Sequence, residues 1–440
     1  MSTTFRPYLP DQSLLLPPDL RDWLPAGHLV HHVSDLVDGL DLAAFYAPYA
    51  GDGRRNAPYD PRMMVKVLLY AYATGVFSSR KIAKKLEEDV AFRVLAAGNF
   101  PQHRTICEFR RRHLSDFKQL FLAVVGLARE LGLAGLGKLS IDGTKVRANA
   151  SKRKSMSYGR MQAEEKRLAG EVEALLAAAD AADVAEDARL GPEVRGDELP
   201  AELRRREDRL AAIRAAKARL EAAARAADDA RGRQDGQEKN PKGGRPYKRA
   251  YGEPEEKAQS NFTDPQSGIM MTSTDGFQQC YNAQAAVDAG QQLVVATAVT
   301  ANASDQGALP ELLDAVAETL DAQVETVLAD AGYCNERDLT DLEARGIDGY
   351  VAPGREGKQA VTRDLEAHPA TGRMVDKLAK PAGRAVYAQR KWLSEAPIGW
   401  VKHVLGFRRF SLRGLAKVRG EWDLVCLALN VKRLHTLMAA

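Results

Sequence analysis

Apolar and polar positions alternate in two different rhythms along this chain, helical at the start and strand-like later. In DPRMMVKVLLYAYATG (60–75) the apolar residues recur at helical spacing, and Pro61 stands where a first turn tolerates it. SSRKIAKKLEEDVAFRVLAAG (78–98) opens on serines suited to cap a helix, and HRTICEFRRRHLSDFKQLFLAVV (103–125) is amphipathic again. These segments predict a compact helical region over residues 1–120. Two short helices across a glycine-containing turn suit a helix-turn-helix, with Ser79 to Leu86 as its recognition surface. An ordinary bundle with solvated cations fits the same pattern.

From 155 to about 235 the chain is rich in Ala, Glu and Arg, with Leu and Ala at three- and four-residue spacing. This predicts two long helices folded back through LGPEVRGDELP (190–200). A basic linker, QEKNPKGGRPYKRAYGEPEEK (237–257), leads into β-rich runs broken by Asp-Gly and Ala-Gly-Gln-Gln, which are hairpin signals. Helix and strand then alternate as far as GYVAP (349–353). With LSID (139–142), these runs predict an α/β fold: a mixed sheet of about five strands flanked by helices and split by a helical-hairpin insertion.

The chain has 440 residues, 45% of them hydrophobic, and no apolar run of eighteen, so a membrane span is not expected. MSTTFRPYLPDQ, at the start, lacks the charged and apolar regions of a secretion signal. Four scattered cysteines show neither zinc nor CxxC spacing and read as reduced thiols. A net charge of only +4 makes the location of the cations matter more than their number.

Two acidic residues each follow an apolar strand: Asp142 in KLSIDGTKV and Asp330 in TVLADAGY. Taken singly, each reads as a turn or cap residue. Together, at strand ends of one sheet, they would repel one another unless a hard cation such as Mg²⁺ or Mn²⁺ lay between them. Cations follow the first aspartate closely: Lys145, Arg147, Lys152, Arg153 and Lys154. The stretch 385–420 reads as a basic helix holding Glu395 among Arg390, Lys391, Lys402, Arg408, Arg409 and Arg413. Tyr387, Trp392, Trp400, Phe407 and Phe410 are interleaved, a combination suited to gripping phosphates and stacking on bases. In the helical region Arg104, Arg110, Arg111 and Arg112 also read as available cations.

Asp142 in IDGTKV, Asp330 in ADAGY, and Tyr387, Arg390, Glu395 and Lys402 together resemble the DDE transposases of bacterial insertion sequences. More narrowly, they resemble the group with a Tyr-Arg-Glu-Lys signature. YDPRMMVKVLLYAYATGVFSSRKIA (59–83) is similar to that group's N-terminal helical domain, and GFRRFSLRGLAKVRGEWDLVCLALN (406–430) to its C-terminal helix. Arg390 leaves four residues before Glu395 and Lys391 leaves three, so either fills the basic position.

The resemblance implies a ribonuclease-H-like catalytic fold in which Asp142, Asp330 and Glu395 hold two Mg²⁺ or Mn²⁺ ions. DNA would lie along Tyr387, Arg390, Lys391, Lys402, Arg408, Arg409, Lys145 and Arg147. It implies cleavage and strand transfer on double-stranded DNA, at terminal inverted repeats and a target, by a homodimer or larger synaptic complex. It further implies no membrane partner and a setting in the bacterial cytoplasm and nucleoid. The expected division is 1–120 helical DNA-binding, 121–154 the first catalytic strand, 155–250 insertion and linker, and 251–440 the remaining catalytic domain with its C-terminal basic helix. A host nuclease on the same fold, a non-catalytic DNA-binding relic and a coiled-coil interaction protein are the competing readings.

Overall fold

The computed structural model describes residues 19–49, 57–135, 137–190, 201–237, 246–272, 274–320, 324–354 and 365–439. The N-terminal dozen residues, the expected turn from 191 to 200, and 238–245 of the basic linker lie outside the described residues. No described helix is long and apolar enough to cross a membrane.

The N-terminal helices are α1 (Leu29–Asp38), α2 (Ala43–Tyr46), α3 (Pro61–Ala73), α4 (Ser79–Glu88), α5 (Val90–Ala96), α6 (His103–Arg112) and α7 (Leu114–Glu130). Asp60 caps α3, its carboxylate accepting from the N–H groups of Arg62 and Met63 ahead of Pro61 at the first turn. Helix α4 buries Ile82 and Leu86 and turns Arg80, Lys81, Lys84 and Lys85 outward. Lys84 and Lys85 are paired with Glu88 and Asp89.

Strand β1 (Lys138–Arg147) follows, and then the small strand β2 (Ser155–Ser157). Helices α8 (Tyr158–Leu190) and α9 (Ala201–Ala230) come next, and strand β3 (Gln259–Asn261) pairs back onto β2. Helices α8 and α9 pack antiparallel around Met161, Leu168, Leu210 and Ile213. Ion pairs from Glu164, Glu165 and Glu171 to Arg209, Arg214 and Arg206 flank that seam.

The main sheet adds β4 (Gly268–Thr272), β5 (Gly276–Asp288), β6 (Val294–Thr300), β7 (Thr326–Ala329) and β8 (Asp348–Val351). Between and after them lie α10 (Ala308–Leu320), α11 (Glu336–Ala344), α12 (Pro369–Ala379), α13 (Pro381–Ala388), α14 (Arg390–Gly399) and α15 (Leu415–Met438). The sheet has six strands rather than five, because the long β5 pairs with β4 along its first half and β6 along its second. On its other side β5 runs antiparallel to β1; β7 and β8 then continue parallel to β1. Four strands in antiparallel pairing (β4, β6, β5 and β1) followed by two parallel ones, flanked by helices, make a ribonuclease-H-like sheet, as the family resemblance implies.

Two sequence expectations need correction. Asp142 does not end its strand: β1 continues to Arg147, because β5 pairs with it as far as Cys280. What ends beside Asp142 is the pairing with β7, whose last partner pair is Ile141 with Ala329. Nor is 385–420 one basic helix. Pro397 sits inside α14, a π-helical turn covers Trp400–Val404, and residues 405–414 form a loop laid along the end of β1.

A single core joins the N-terminal helices to the sheet. Helix α15 is its axis, buried nearly throughout from Val418 to Leu434, with α3 and α7 on one side and β6 on the other. Each fully buried Leu, Val or Phe there contributes about 1.5–3 kcal/mol. Asn430 seals the join by donating to Val294 O (2.7 Å) and accepting from Val294 N (2.8 Å). Arg110 is not available to solvent. It is buried and donates to Tyr72 Oη and Phe77 O, both at 2.9 Å. Glu421 lies beyond the Tyr72 hydroxyl and accepts from the N–H groups of Ser411 and Leu412. A guanidinium that packs helices together through a buried carboxylate cannot also face DNA. Phe407 and Phe410 are likewise core residues, each 1% exposed, because the loop folds them onto Trp422 and Tyr281.

Candidate active site

The sheet brings two of the sequence-singled carboxylates together by register alone. Asp142 stands one residue beyond the last β1–β7 pair, and Asp330 one residue beyond the end of β7. Asp330 caps the short turn that leaves the strand, its Oδ1 accepting from Gly332 N at 2.8 Å. Its side chain therefore has a fixed position at the strand's C-terminal end, where parallel sheets carry their sites.

Helix α14 covers this point. Arg390 Nη1 lies 3.5 Å from Asp142 Oδ2, and Arg390 Nη2 lies 3.7 Å from Glu395 Oε1. One guanidinium thus bridges two of the three acidic residues. Tyr387 stacks on the same guanidinium, its ring centre 5.9 Å from the Arg390 Cζ. Lys391, one residue on, is exposed. Glu395 is about half exposed, its side-chain accessibility 49% against 16% for Asp142. Lys138 Nζ donates to Gln389 Oε1 at 3.2 Å and ties the head of α14 to the start of β1.

Electrostatics follow from this packing. Burial, and next the charge of Asp330, push the Asp142 carboxyl up to about 6, against the pull of Arg390 and the Gly143 N–H. Burial opposes the charge on Arg390, but Tyr387 and Asp142 outweigh it and hold the guanidinium above its ordinary value. Lys402, on the π-helical turn, is half-buried, and burial lowers its ammonium below the usual range.

Other sequence-singled cations are spread more widely. Lys145 and Arg147 continue along β1; Arg147 pairs with Asp275 at 3.3 Å. Arg408 Nε donates to Lys402 O at 3.2 Å, and Arg409 lies beside Arg147 at the far end of that strand. Trp392 and Trp400 are the exposed aromatics of the segment.

Two residues near the carboxylates escaped the sequence reading. Ser394, one turn along α14 from Arg390, is buried with its Oγ 3.4 Å from Asp142 Oδ2. Asp305 accepts from Asn282 Nδ2 at 2.6 Å and Gln284 Nε2 at 2.8 Å, and its charge adds to the rise at Asp142. Glycines permit its approach. A Cβ at Gly143 would sit 2.8 Å from Asp305 Oδ1, and one at Gly332 would sit 2.6 Å from Asp305 Oδ2. The available signal was a glycine after each aspartate, in DG and DAG, but Asp305 itself reads as a polar helix lead-in.

Whether a divalent cation suits these residues turns on donor chemistry. The donors are all carboxylate oxygens, the right kind for Mg²⁺ or Mn²⁺. Asp142 and Asp330 press on each other electrostatically, and the positive charge nearest Asp142 and Glu395 belongs to a side chain that spans both. Among the described residues, no three His, Cys, Asp or Glu side chains converge on one point as they stand. The pair Asp142 and Asp330 has the donor chemistry that a hard cation takes, and Glu395 stands half-exposed on the other side of Arg390.

Comparison with known proteins adds two findings. Residues 253–431 match the family described as "Transposase DDE domain", and residues 18–112 match "Transposase domain (DUF772)". No curated protein and no solved structure matches the chain.

Proposed function

This chain is a DDE transposase of the insertion-sequence type, and from that premise we propose that it cleaves and joins double-stranded DNA at the ends of its own element with the help of divalent metal ions. The observation that carries the reading is the placement of Asp142 and Asp330 side by side where the parallel pairing of β1 with β7 ends, under a helix that presents Arg390 and Glu395. Asp142, Asp330 and Glu395 would hold two Mg²⁺ or Mn²⁺ ions. Such ions lower the pKa of a bound water or 3′-hydroxyl and offset charge on the phosphate oxygens during in-line displacement.

The chain's own side chains do the rest. Asp142, held near Asp330 at an energetic cost, gains most when a cation arrives. Arg390 fills the basic position of the signature in this reading, because it faces Asp142 while Lys391 faces solvent. With a cation bound to the carboxylates, its guanidinium is free to turn to a phosphate. Tyr387 limits how far it can swing. Lys402, partly desolvated, would meet an adjacent phosphate more strongly than a surface lysine would. The outward cations of α4 and α6 would grip the terminal inverted repeat, and a homodimer or larger complex would pair two ends.

The test uses a duplex carrying the element's end, with Mg²⁺. Alanine at Asp142, Asp330 or Glu395 abolishes nicking and strand transfer while binding of the duplex persists. Wild-type cleavage by Asp330→Ala refutes its assignment. Cleavage with no joining to a target duplex points to a nuclease, and an inert wild-type chain that still binds points to a relic.

A further inference from the structure

We infer that a groove at the far end of β1, away from the carboxylates, grips the phosphodiester backbone of duplex DNA about six base pairs from the scissile bond. The groove encloses about 410 Å³ between the turn after β1 and the loop before α15. Lys152, Arg153 and Lys154 line one wall, and Arg409 and Arg413 the other. No carboxylate lines it, and among the described residues none of these five cations forms an ion pair. The neighbouring helical hairpin behaves differently: Arg167, Arg206, Arg209, Arg214 and Lys217 are all paired with Glu164, Glu165 or Glu171.

The groove is built rather than incidental. Its two walls are about 260 residues apart in sequence and are cross-linked by hydrogen bonds. Asn149 Nδ2 donates to Ser411 O at 2.7 Å, and Arg413 Nε donates to Asn149 O at 2.9 Å. Arg147 N donates to Arg408 O and Phe410 N to Arg147 O, which fixes Arg409 against the strand. The turn holding Lys152 to Lys154 is capped by Ser151 Oγ and anchored by Asn261 Nδ2 to Ser151 O at 2.8 Å. Five like charges locked together repel one another, and a polyanion relieves that cost. One small anion would meet only one or two of them, whereas successive backbone phosphates would meet all five.

The distance follows from the strand. About seven residues separate Asp142 from Asn149, so the groove lies on the order of 20 Å from the carboxylates at about 3.3 Å per residue. At about 3.4 Å per nucleotide that span is about six base pairs. This placement rests on Asp142 marking the scissile phosphate, the reading given above.

The experiment uses the full chain and two duplexes carrying the element's end, one extending fifteen base pairs beyond the cleavage position on each side and one only four, where about six are needed to reach the groove. Affinity is measured against salt for wild type, for R409A/R413A, and for K152A/K154A, with folding checked by melting. On the long duplex each double variant lowers the slope of log affinity against log salt by about 2, since each lost phosphate contact removes about 0.9. On the short duplex both match wild type. An unchanged slope on the long duplex, or an equal loss on the short one, overturns the groove. Asp142→Asn serves as the separate control. It loses cleavage and keeps the wild-type slope; if it still cleaves, the reading of the carboxylates fails independently of the groove result.

Discussion

Replacing Asp142 by Asn should stabilise the metal-free protein, and only at a pH where the aspartate would be ionised. The folded-state carboxyl stands at about 6 against 3.8 ordinarily, mainly through burial and the charge of Asp330. A carboxyl whose value is raised by folding binds its proton more tightly when folded. Below pH 3.8 both states are protonated and the site costs nothing. Between 3.8 and about 6 the folded state holds more protons, so stability falls as pH rises. Above 6 the full penalty is present. A rise from 3.8 to about 6 corresponds to about 3 kcal/mol. Asparagine keeps the shape and removes the charge. With an unfolding entropy of about 2.1 cal/mol/K per residue, a cooperative melt of 440 residues shifts by about 3 °C for that energy. Melting in EDTA should therefore give Asp142→Asn a Tm about 3 °C above wild type at pH 8 and no difference at pH 3.5. Equal melting at pH 8, or a gap that does not grow between pH 4 and 7, would refute the electrostatic pressure assigned to this site.

The remaining expectations concern the metal, the bridging arginine and the join between helices and sheet. Mn²⁺ at a hundredfold excess over its dissociation constant should stabilise wild type by about 2.7 kcal/mol at pH 8 and leave Asp142→Asn unmoved, read by the same melts. Arg390→Ala should slow end cleavage at saturating DNA by about 100- to 1000-fold, as for other groups that meet transition-state charge. Lys391→Ala, exposed and making no contact with Asp142 of the kind Arg390 makes, should leave that rate near wild type. Tyr72→Phe removes the hydroxyl between Arg110 and Glu421 and should cost about 1–3 kcal/mol, while Glu421→Leu, which leaves Arg110 buried without its carboxylate, should cost about 3–5 kcal/mol. Gly75→Ala should destabilise by more than about 1 kcal/mol, because φ there is +78° and a Cβ would meet Leu405 O at 2.6 Å.

What the sequence reveals of this protein depends on how local the physics is. Helix α3 is legible because Asp60, Pro61 and the apolar spacing all lie within one window, and β7 because TVLAD is short and apolar throughout. The course of β1 past Asp142 is not. Gly-Thr-Lys reads as a turn, and only pairing with β5, whose residues lie some 140 positions later, holds it extended. The same non-locality hides Arg110, Phe407 and Phe410. Each sits in a segment that is basic by composition, and each is drawn inward by a partner more than a hundred residues away: Glu421, through Tyr72, for the arginine, and Phe77 and Tyr281 for the rings.

That pattern bears on how the protein works. Helix α15 forms one core with α3, α7 and β6, and Glu421 on it holds the loop carrying Arg409 and Arg413 by the N–H groups of Ser411 and Leu412. The Tyr72–Arg110 pair reaches the same carboxylate from the N-terminal helices. Gly75, at the end of α3, abuts the carbonyl of Leu405 just after the π-helical turn of Lys402. The cationic faces of α4 and α6, the groove at the end of β1 and the segment bearing Arg390, Glu395 and Lys402 are therefore parts of one packed body. DNA held by the outer cations would meet the carboxylates at a distance set by buried contacts, so the cutting position would be fixed by the core rather than by a hinge. A core substitution such as Glu421→Leu should then blur the cleavage position as well as lower the melting temperature.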